Sequence, residues 1–156
     1  MKINIILADL GAQDASGKLN LLGAGWSYIG VLPSGLTSDI AVAVTIEVPW
    51  DQCNRELDFV LELIDDDGKA FEVPVGDERK PVRLSQKLVV ATTPGAPNGT
   101  PGSATVLVQL QGGLPLTPGR SYRWRAVLGN NEDEAGEARF FVLRQPSVPT
   151  FGAAKA

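Results

Sequence analysis

The sequence predicts an all-β protein, an antiparallel β-sandwich of immunoglobulin-like type with about seven to nine strands. Short apolar runs alternate with polar residues at the two-residue period of a strand, and Gly, Pro and Asp separate these runs at short intervals. No segment keeps apolar residues at helical spacing over several turns, and no strand–helix–strand spacing occurs. The pattern therefore favours antiparallel sheets over any fold that contains helices.

The clearest alternation lies in residues 40–48, where Ile or Val occupies every second position and Ala, Thr and Glu fill the others. We predict a central strand with its large side chains in the core. Residues 57–63 repeat the pattern and run into Asp-Asp-Asp-Gly at residues 65–68. An Asp-Gly pair between apolar alternations favours a hairpin, so residues 70–75 are expected to return antiparallel.

Shorter runs predict the remaining six strands. The first is residues 3–8, the second combines residues 19–22 and 26–31, and the others are residues 84–91, 104–111, 122–128 and 137–144. The second of these is interrupted at residues 23–25, where Gly-Ala-Gly indicates a bulge or a close approach of the backbone. Residues 11–18 are interpreted as a connection, and residues 92–102, rich in Pro and Gly, as an exposed loop. The last two strands are expected to form the final hairpin.

The length of 156 residues suits one domain. We expect this sandwich domain to span residues 1–144. Residues 145–156 contain Pro146 and Pro149 and show no buried pattern, which predicts an extended or flexible C-terminal tail.

The composition excludes several classes of partner and location. A net charge of −4 argues against nucleic acid and anionic membranes, because both need clustered Lys and Arg. The apolar run at residues 5–8 is shorter than the core of a signal peptide, so secretion by that route is not expected. A single cysteine excludes an internal disulfide. We therefore expect a cytoplasmic protein or one built into an assembly inside the cell.

The sequence contains no histidine, which removes the commonest general base and zinc ligand. Cys53 consequently has no histidine to activate it, and no serine lies in Gly-x-Ser-x-Gly. The phosphate-loop pattern is absent, because Ser16-Gly17-Lys18 is followed by Leu. We predict no catalytic residue and no cofactor, and hence no enzyme; an enzyme of unfamiliar design is the third hypothesis.

Two acidic turns cluster hard oxygen ligands in the sequence, and they supply Asp65, Asp67, Glu132 and Glu134 as candidate metal ligands. Neither turn has the spacing of a helix-flanked calcium loop. The two groups would act together only if both turns emerge at the same end of the sandwich. Solvated hairpin turns are the favoured interpretation, and no metal site is assigned.

Aromatic and basic side chains provide the candidate contact residues. Trp50 follows Pro49 at a strand end and is either an exposed aromatic or a lid over the core edge, whereas Tyr122 and Trp124 share a strand face that is assigned to the core. Arginines are concentrated in the last third of the chain, where pairing with acids such as Glu137 is favoured over an interface. The candidate interaction residues are Trp50, Arg123, Arg125, Pro146, Pro149 and Phe151.

The opening residues 6–9, Ile-Leu-Ala-Asp, precede Gly-Lys-Leu-Asn-Leu-Leu-Gly at residues 17–23 and the strand sequence of residues 41–50. This order resembles an uncharacterised bacterial family found chiefly in actinobacteria. Residues 61–68 and Pro-Gly-Arg-Ser-Tyr at 118–122 extend the resemblance through most of the chain. The family has no assigned reaction, so the resemblance implies a shared fold and transfers no catalytic residue.

The leading hypothesis is a non-enzymatic structural or protein–protein interaction module, an accessory or decoration-type component of a larger assembly such as a virus particle. The viral analogy rests on size and fold class, since small acidic sandwiches with extended tails bind repeating shells there. The alternative is a module for a small ligand, carbohydrate or calcium, bound through Trp50 and the two acidic turns.

Overall fold

The computed structural model describes residues 1–144. These residues form twelve strands and two short 3-10 helices, Trp50–Gln52 and Glu132–Glu134. The strands are β1 (Lys2–Ala8), β2 (Leu10–Gln13), β3 (Leu19–Leu22), β4 (Tyr28–Ile29), β5 (Ile40–Val48), β6 (Glu56–Asp65), β7 (Glu72–Val75), β8 (Glu78–Pro81), β9 (Arg83–Val89), β10 (Gly102–Leu110), β11 (Ser121–Leu128) and β12 (Gly136–Val142). Within residues 1–144, no helix has the length and hydropathy needed to cross a membrane.

The strands form two main sheets that pack face to face, so the predicted all-β antiparallel sandwich is confirmed. A three-stranded sheet has the order β1-β5-β10, and a five-stranded sheet has the order β4-β12-β11-β6-β9. All pairs are antiparallel except the short β4, which runs parallel to β12. In order, β1, β5 and β10 correspond to strands A, B and E of an immunoglobulin sandwich, and β12, β11 and β6 correspond to strands G, F and C of the opposite sheet.

The core lies between the two sheets and is built from the alternating residues that the sequence pattern identified. The apolar face of β5 is fully buried from Ile40 to Val48, and Phe59 and Leu61 of β6 oppose it. Trp124 and Tyr122 of β11 are also buried, as predicted. Cys53 lies in the same cluster, where its thiol donates toward the carbonyl oxygens of Val48 and Pro49.

Tyr122 ties the start of β11 to the turn before it. Its side chain is 3% exposed, and its ring stacks on Phe140 and meets Phe71 edge to face. The phenol oxygen accepts a hydrogen bond of 3.0 Å from the backbone N–H of Thr117, five residues upstream. This is the geometry of the tyrosine corner, which fixes the corresponding strand of immunoglobulin-like sandwiches.

The connection predicted at residues 11–18 was partly wrong, because β2 pairs with β3 in a hairpin. This hairpin lies over the outer face of the three-stranded sheet, where Gly11 packs on Leu107 and donates its N–H to Gln109. Ala41 and Ala43 point outward from β5 and yet are completely buried. Their small side chains leave the space that the hairpin occupies.

Two other strand predictions need correction. Residues 19–22 and 26–31 do not form one interrupted strand, since β3 pairs with β2 whereas β4 joins the five-stranded sheet. The close approach at residues 23–25 is present, because a Cβ on Gly23 would collide with the carboxylate of Asp9. The predicted antiparallel return of residues 70–75 along β6 is limited to a single bridge between Ile64 and Ala70. The strand that follows, β7, pairs with β8 and not with β6.

Candidate functional site

The outer face of the five-stranded sheet carries most of the clustered charge. Glu137, Arg125, Glu62 and Arg83 lie side by side across β12, β11, β6 and β9, with alternating sign. The guanidinium of Arg125 is 3.9 Å from the carboxylate of Glu62 and 3.8 Å from that of Glu137, and it also donates to Glu132. The predicted pairing of Arg125 with acids is therefore present, and it uses three partners on different elements.

The next row of the same face is basic. Arg123 and Arg139 lie directly opposite each other in the register of β11 and β12. The Nε atom of Arg123 is buried without a hydrogen-bond acceptor, and its nearest carboxylate is that of Glu137 at 3.8 Å. Arg139 is exposed and forms no ion pair within the described part of the chain. Like charges directly opposite each other are unfavourable, and the only carboxylate paired with this row in residues 1–144 is Glu137, beside Arg123. The charge of Arg139 is therefore the one that the sheet does not neutralise.

Aromatic and aliphatic side chains continue this face to the β4 edge. Phe141 lies beside Tyr28 in the register of β12 and β4, and Leu143 follows two residues later. Tyr28 is 62% exposed, Phe141 40% and Leu143 42%. We name this surface the aromatic-basic face, formed by Tyr28, Phe141, Leu143, Arg139 and Arg123.

The sequence contained one signal for this surface that the predicted set did not use. Phe140 and Phe141 are consecutive in β12, and successive side chains of a strand point to opposite faces. Because Phe140 is buried in the core, Phe141 must lie on the outer face. Arg123 was among the predicted interaction residues, whereas Tyr28, Phe141 and Arg139 were not.

Residues 65–67, which we name the acidic turn, form a cluster in which carboxylate oxygens lie within 4.8 Å of one another. Each carboxylate already has partners. Asp65 accepts hydrogen bonds from the backbone N–H groups of Asp67 and Lys69, at 2.9 Å and 3.0 Å. Arg120 donates to both Asp66 and Asp67. Hydrogen bonding by Arg120 holds the pKa of Asp66 below its usual range.

The second acidic turn is at the other end of the sandwich. Asp65 lies opposite Tyr122 at the start of β11, whereas Glu132 and Glu134 follow the end of β11 at Leu128. Glu134 pairs with the amino group of Met1 at 2.9 Å, and Glu132 pairs with Arg125. The candidate ligands Asp65, Asp67, Glu132 and Glu134 are therefore not brought together, because the turns emerge at opposite ends.

Trp50 is 45% exposed in the 3-10 turn that follows β5, so it is a partly open aromatic rather than a sealed lid. It lines a shallow depression of about 490 Å³ together with Met1, Pro49 and Pro101. A separate depression of about 320 Å³ lies between the acidic turn, Ser121 and the pair Arg123 and Arg139. The candidate interaction residues Pro146, Pro149 and Phe151 lie outside the described residues.

Comparison with known proteins gives no further assignment. No family model matches the chain, and a search of curated proteins finds no match. The resemblance of the opening segment to an actinobacterial family stays a prediction. Functional inference therefore rests on the residues of the two sheets themselves.

Proposed function

We propose that the chain is a non-enzymatic interaction module that binds another protein through the aromatic-basic face. The exposed row of Tyr28, Phe141 and Leu143 carries this proposal, together with the adjacent Arg139, which forms no ion pair within residues 1–144. Interface cores are enriched in aromatic residues and Arg, which combine apolar area with directed hydrogen bonds. Membership of a larger assembly, the virus particle included, is the setting in which such an accessory module would act.

The charges around this face would give a partner its orientation. The alternating row through Arg125 is already paired within the sheet, so it contributes little attraction of its own. Arg139 is exposed and has no ion pair within residues 1–144, so a carboxylate of a partner would neutralise it, whereas Arg123 already has Glu137 at 3.8 Å. Apolar contact would then supply affinity at Phe141, and Arg139 would select an acidic neighbour.

The test compares capture of partners from the native source by three full-length proteins. These are the unchanged chain, the double variant Tyr28→Thr with Phe141→Thr, and a control in which the exposed Leu22 of the β3 hairpin is changed to Thr. Threonine keeps the strand propensity of each site, so the fold should survive. Leu22 is 67% exposed, which makes it a matched loss of apolar surface elsewhere.

A stoichiometric partner that the unchanged chain and the Leu22→Thr control retain, and that the double variant loses, is the expected result. Retention of this partner by the double variant at full yield would contradict the proposal. Circular dichroism and urea unfolding of all three proteins exclude loss of the fold as the cause.

One observation favours a second candidate, a carbohydrate-binding module. Trp50 is the most exposed of the tryptophans in residues 1–144 and lines a shallow depression of about 490 Å³. Stacking on an indole face is the usual contact of a sugar ring with a protein. A glycan that changes the fluorescence of the unchanged chain, and has no effect on Trp50→Ala, would support it; a flat response across a broad glycan panel would refute it.

A further inference from the structure

The two sheets have four edges, and three of them are protected against pairing with another strand. The edge strand β4 is only two residues long, and β9 carries Arg83 and Lys87. The free side of β1 lies against β12, where a Cβ on Gly136 would be 2.8 Å from the carbonyl oxygen of Ile3. Short length, charge and coverage are the usual devices that stop edges from pairing.

The remaining edge, β10, has none of these devices. It runs for nine residues, Gly102–Leu110, and contains neither a charged residue nor a proline. It pairs with β5 on one side only, and among residues 1–144 no other strand or backbone hydrogen bond satisfies its second side. Half of the backbone donors and acceptors of a nine-residue strand therefore face outward.

The core is also open along this edge. Ala104, Val108 and Leu110 point inward from β10 and are only partly buried, although they pack on core residues. On the opposite sheet, Gln86 of β9 points inward beside Phe59 and is exposed. A sandwich that lacks a strand here leaves apolar side chains at the rim, and an added strand would cover them.

We propose that β10 pairs antiparallel with β10 of a second copy of this chain, which joins the two three-stranded sheets into one six-stranded sheet. A two-fold axis beside Val106 places Ala104 of each copy opposite Val108 of the other, so the partly buried side chains of both rims meet. The chain carries a net charge of −4, so two copies repel each other at long range, and β10, which has no charged residue, adds no like-charge contact to this repulsion. An isologous contact satisfies both unpaired edges at once.

Sedimentation velocity of the full-length protein from low to high micromolar concentration tests the proposal. We expect a concentration-dependent dimer of twice the 16.5 kDa chain mass. Thr105→Lys adds a charge to the outer side of β10 and should weaken dimerisation at least tenfold. In this register each introduced charge lies opposite the apolar Leu107 of the other copy, and the two charges are diagonal neighbours about the two-fold axis. The matched control is Asn4→Lys, since Asn4 lies in the same row of the sheet on the opposite edge strand; it should leave the dimer unchanged.

Hydrogen exchange of the unchanged chain gives a second readout that does not depend on a variant folding. Amides within residues 102–110 should gain protection as concentration rises, whereas those of the β9 edge should not. A protein that stays monomeric with exchangeable β10 amides overturns the proposal and leaves this edge to a strand of another protein. A dimer that Thr105→Lys leaves intact overturns it too. Because β10 and the aromatic-basic face are separate surfaces, this proposal and the proposed function fail independently.

Discussion

Removal of one hydroxyl, in Tyr122→Phe, tests how strongly the turn before β11 is held. The phenylalanine ring keeps the contacts with Phe140 and Phe71, because the ring centroids, 5.9 Å and 5.5 Å away, do not involve the hydroxyl. The change removes the acceptor of the 3.0 Å hydrogen bond from Thr117. A net hydrogen bond contributes about 0.5–1.5 kcal/mol, and a donor left without a partner costs about 1–3 kcal/mol.

Water reaches Thr117 in part, since its side chain is exposed, and this reduces the penalty for its N–H. We therefore expect Tyr122→Phe to lower the free energy of unfolding by about 1–2 kcal/mol. Urea unfolding followed by tryptophan fluorescence should show a lower midpoint with an unchanged slope. An unchanged slope matters because it means that the variant exposes the same surface on unfolding.

The second tyrosine supplies a control with the same chemical change. Tyr28 is 62% exposed, and none of the hydrogen bonds described for residues 1–144 involves its hydroxyl. Tyr28→Phe should therefore change the free energy of unfolding by less than about 0.5 kcal/mol. Equal effects of the two variants, or a loss below about 0.5 kcal/mol in Tyr122→Phe, would refute the tyrosine-corner argument.

Two further predictions address the sheet junction and the acidic turn. Gly136→Ala places a Cβ 2.6 Å from Ile3 Cγ2 and should lower the free energy of unfolding by about 1–3 kcal/mol in urea unfolding, whereas Gly30→Ala, with open space around it, should not destabilise the protein. Arg120→Met should raise the pKa of Asp66 into its usual range, measured by NMR titration of the carboxyl carbon. Since the pKa of Asp66 is lowered in the folded state, the stability that Arg120 adds is present above the unfolded-state pKa near 3.8 and disappears as pH falls through the folded-state pKa. A stability difference between the two proteins that persists undiminished below that range would contradict the assignment.

The strands that the sequence predicted well are those whose large side chains alternate onto one buried face. β5, β6, β11 and β12 are of this kind, and each has its apolar set in the core. The two-stranded hairpins lie outside the sandwich core, so burial does not impose a clear alternation on them. β8, for example, reads Glu-Arg-Lys-Pro and is exposed throughout. The small residues Ala41 and Ala43 were the available sign that something covers the outer face of β5.

The surface depends on register, which a single sequence does not specify. Glu137 was recognised as a partner for the arginines because it lies in the neighbouring strand of a predicted hairpin. Glu62 pairs with Arg125 only because β6 lies next to β11 in one register, and a slip by one residue would turn its side chain to the other face. The separation of the two acidic turns follows in the same way from which end of β11 each one adjoins.

The two proposed surfaces lie on opposite sides of the sandwich, and this has a consequence for binding. β1 packs against β12, so the β1 edge of the three-stranded sheet lies near the β4 edge of the five-stranded sheet, where the aromatic-basic face ends. β10 is the opposite edge of the three-stranded sheet. A dimer formed through β10 would therefore present two aromatic-basic faces. When such a dimer binds a repeating assembly through one face, binding of its second face is intramolecular. The dimer then binds more tightly than a monomer, although each face makes the same contacts. Thr105→Lys should then weaken binding to an immobilised, dense partner surface and leave binding to a single partner molecule in solution unchanged. Equal weakening in both formats would show that the substitution disturbs the binding face itself.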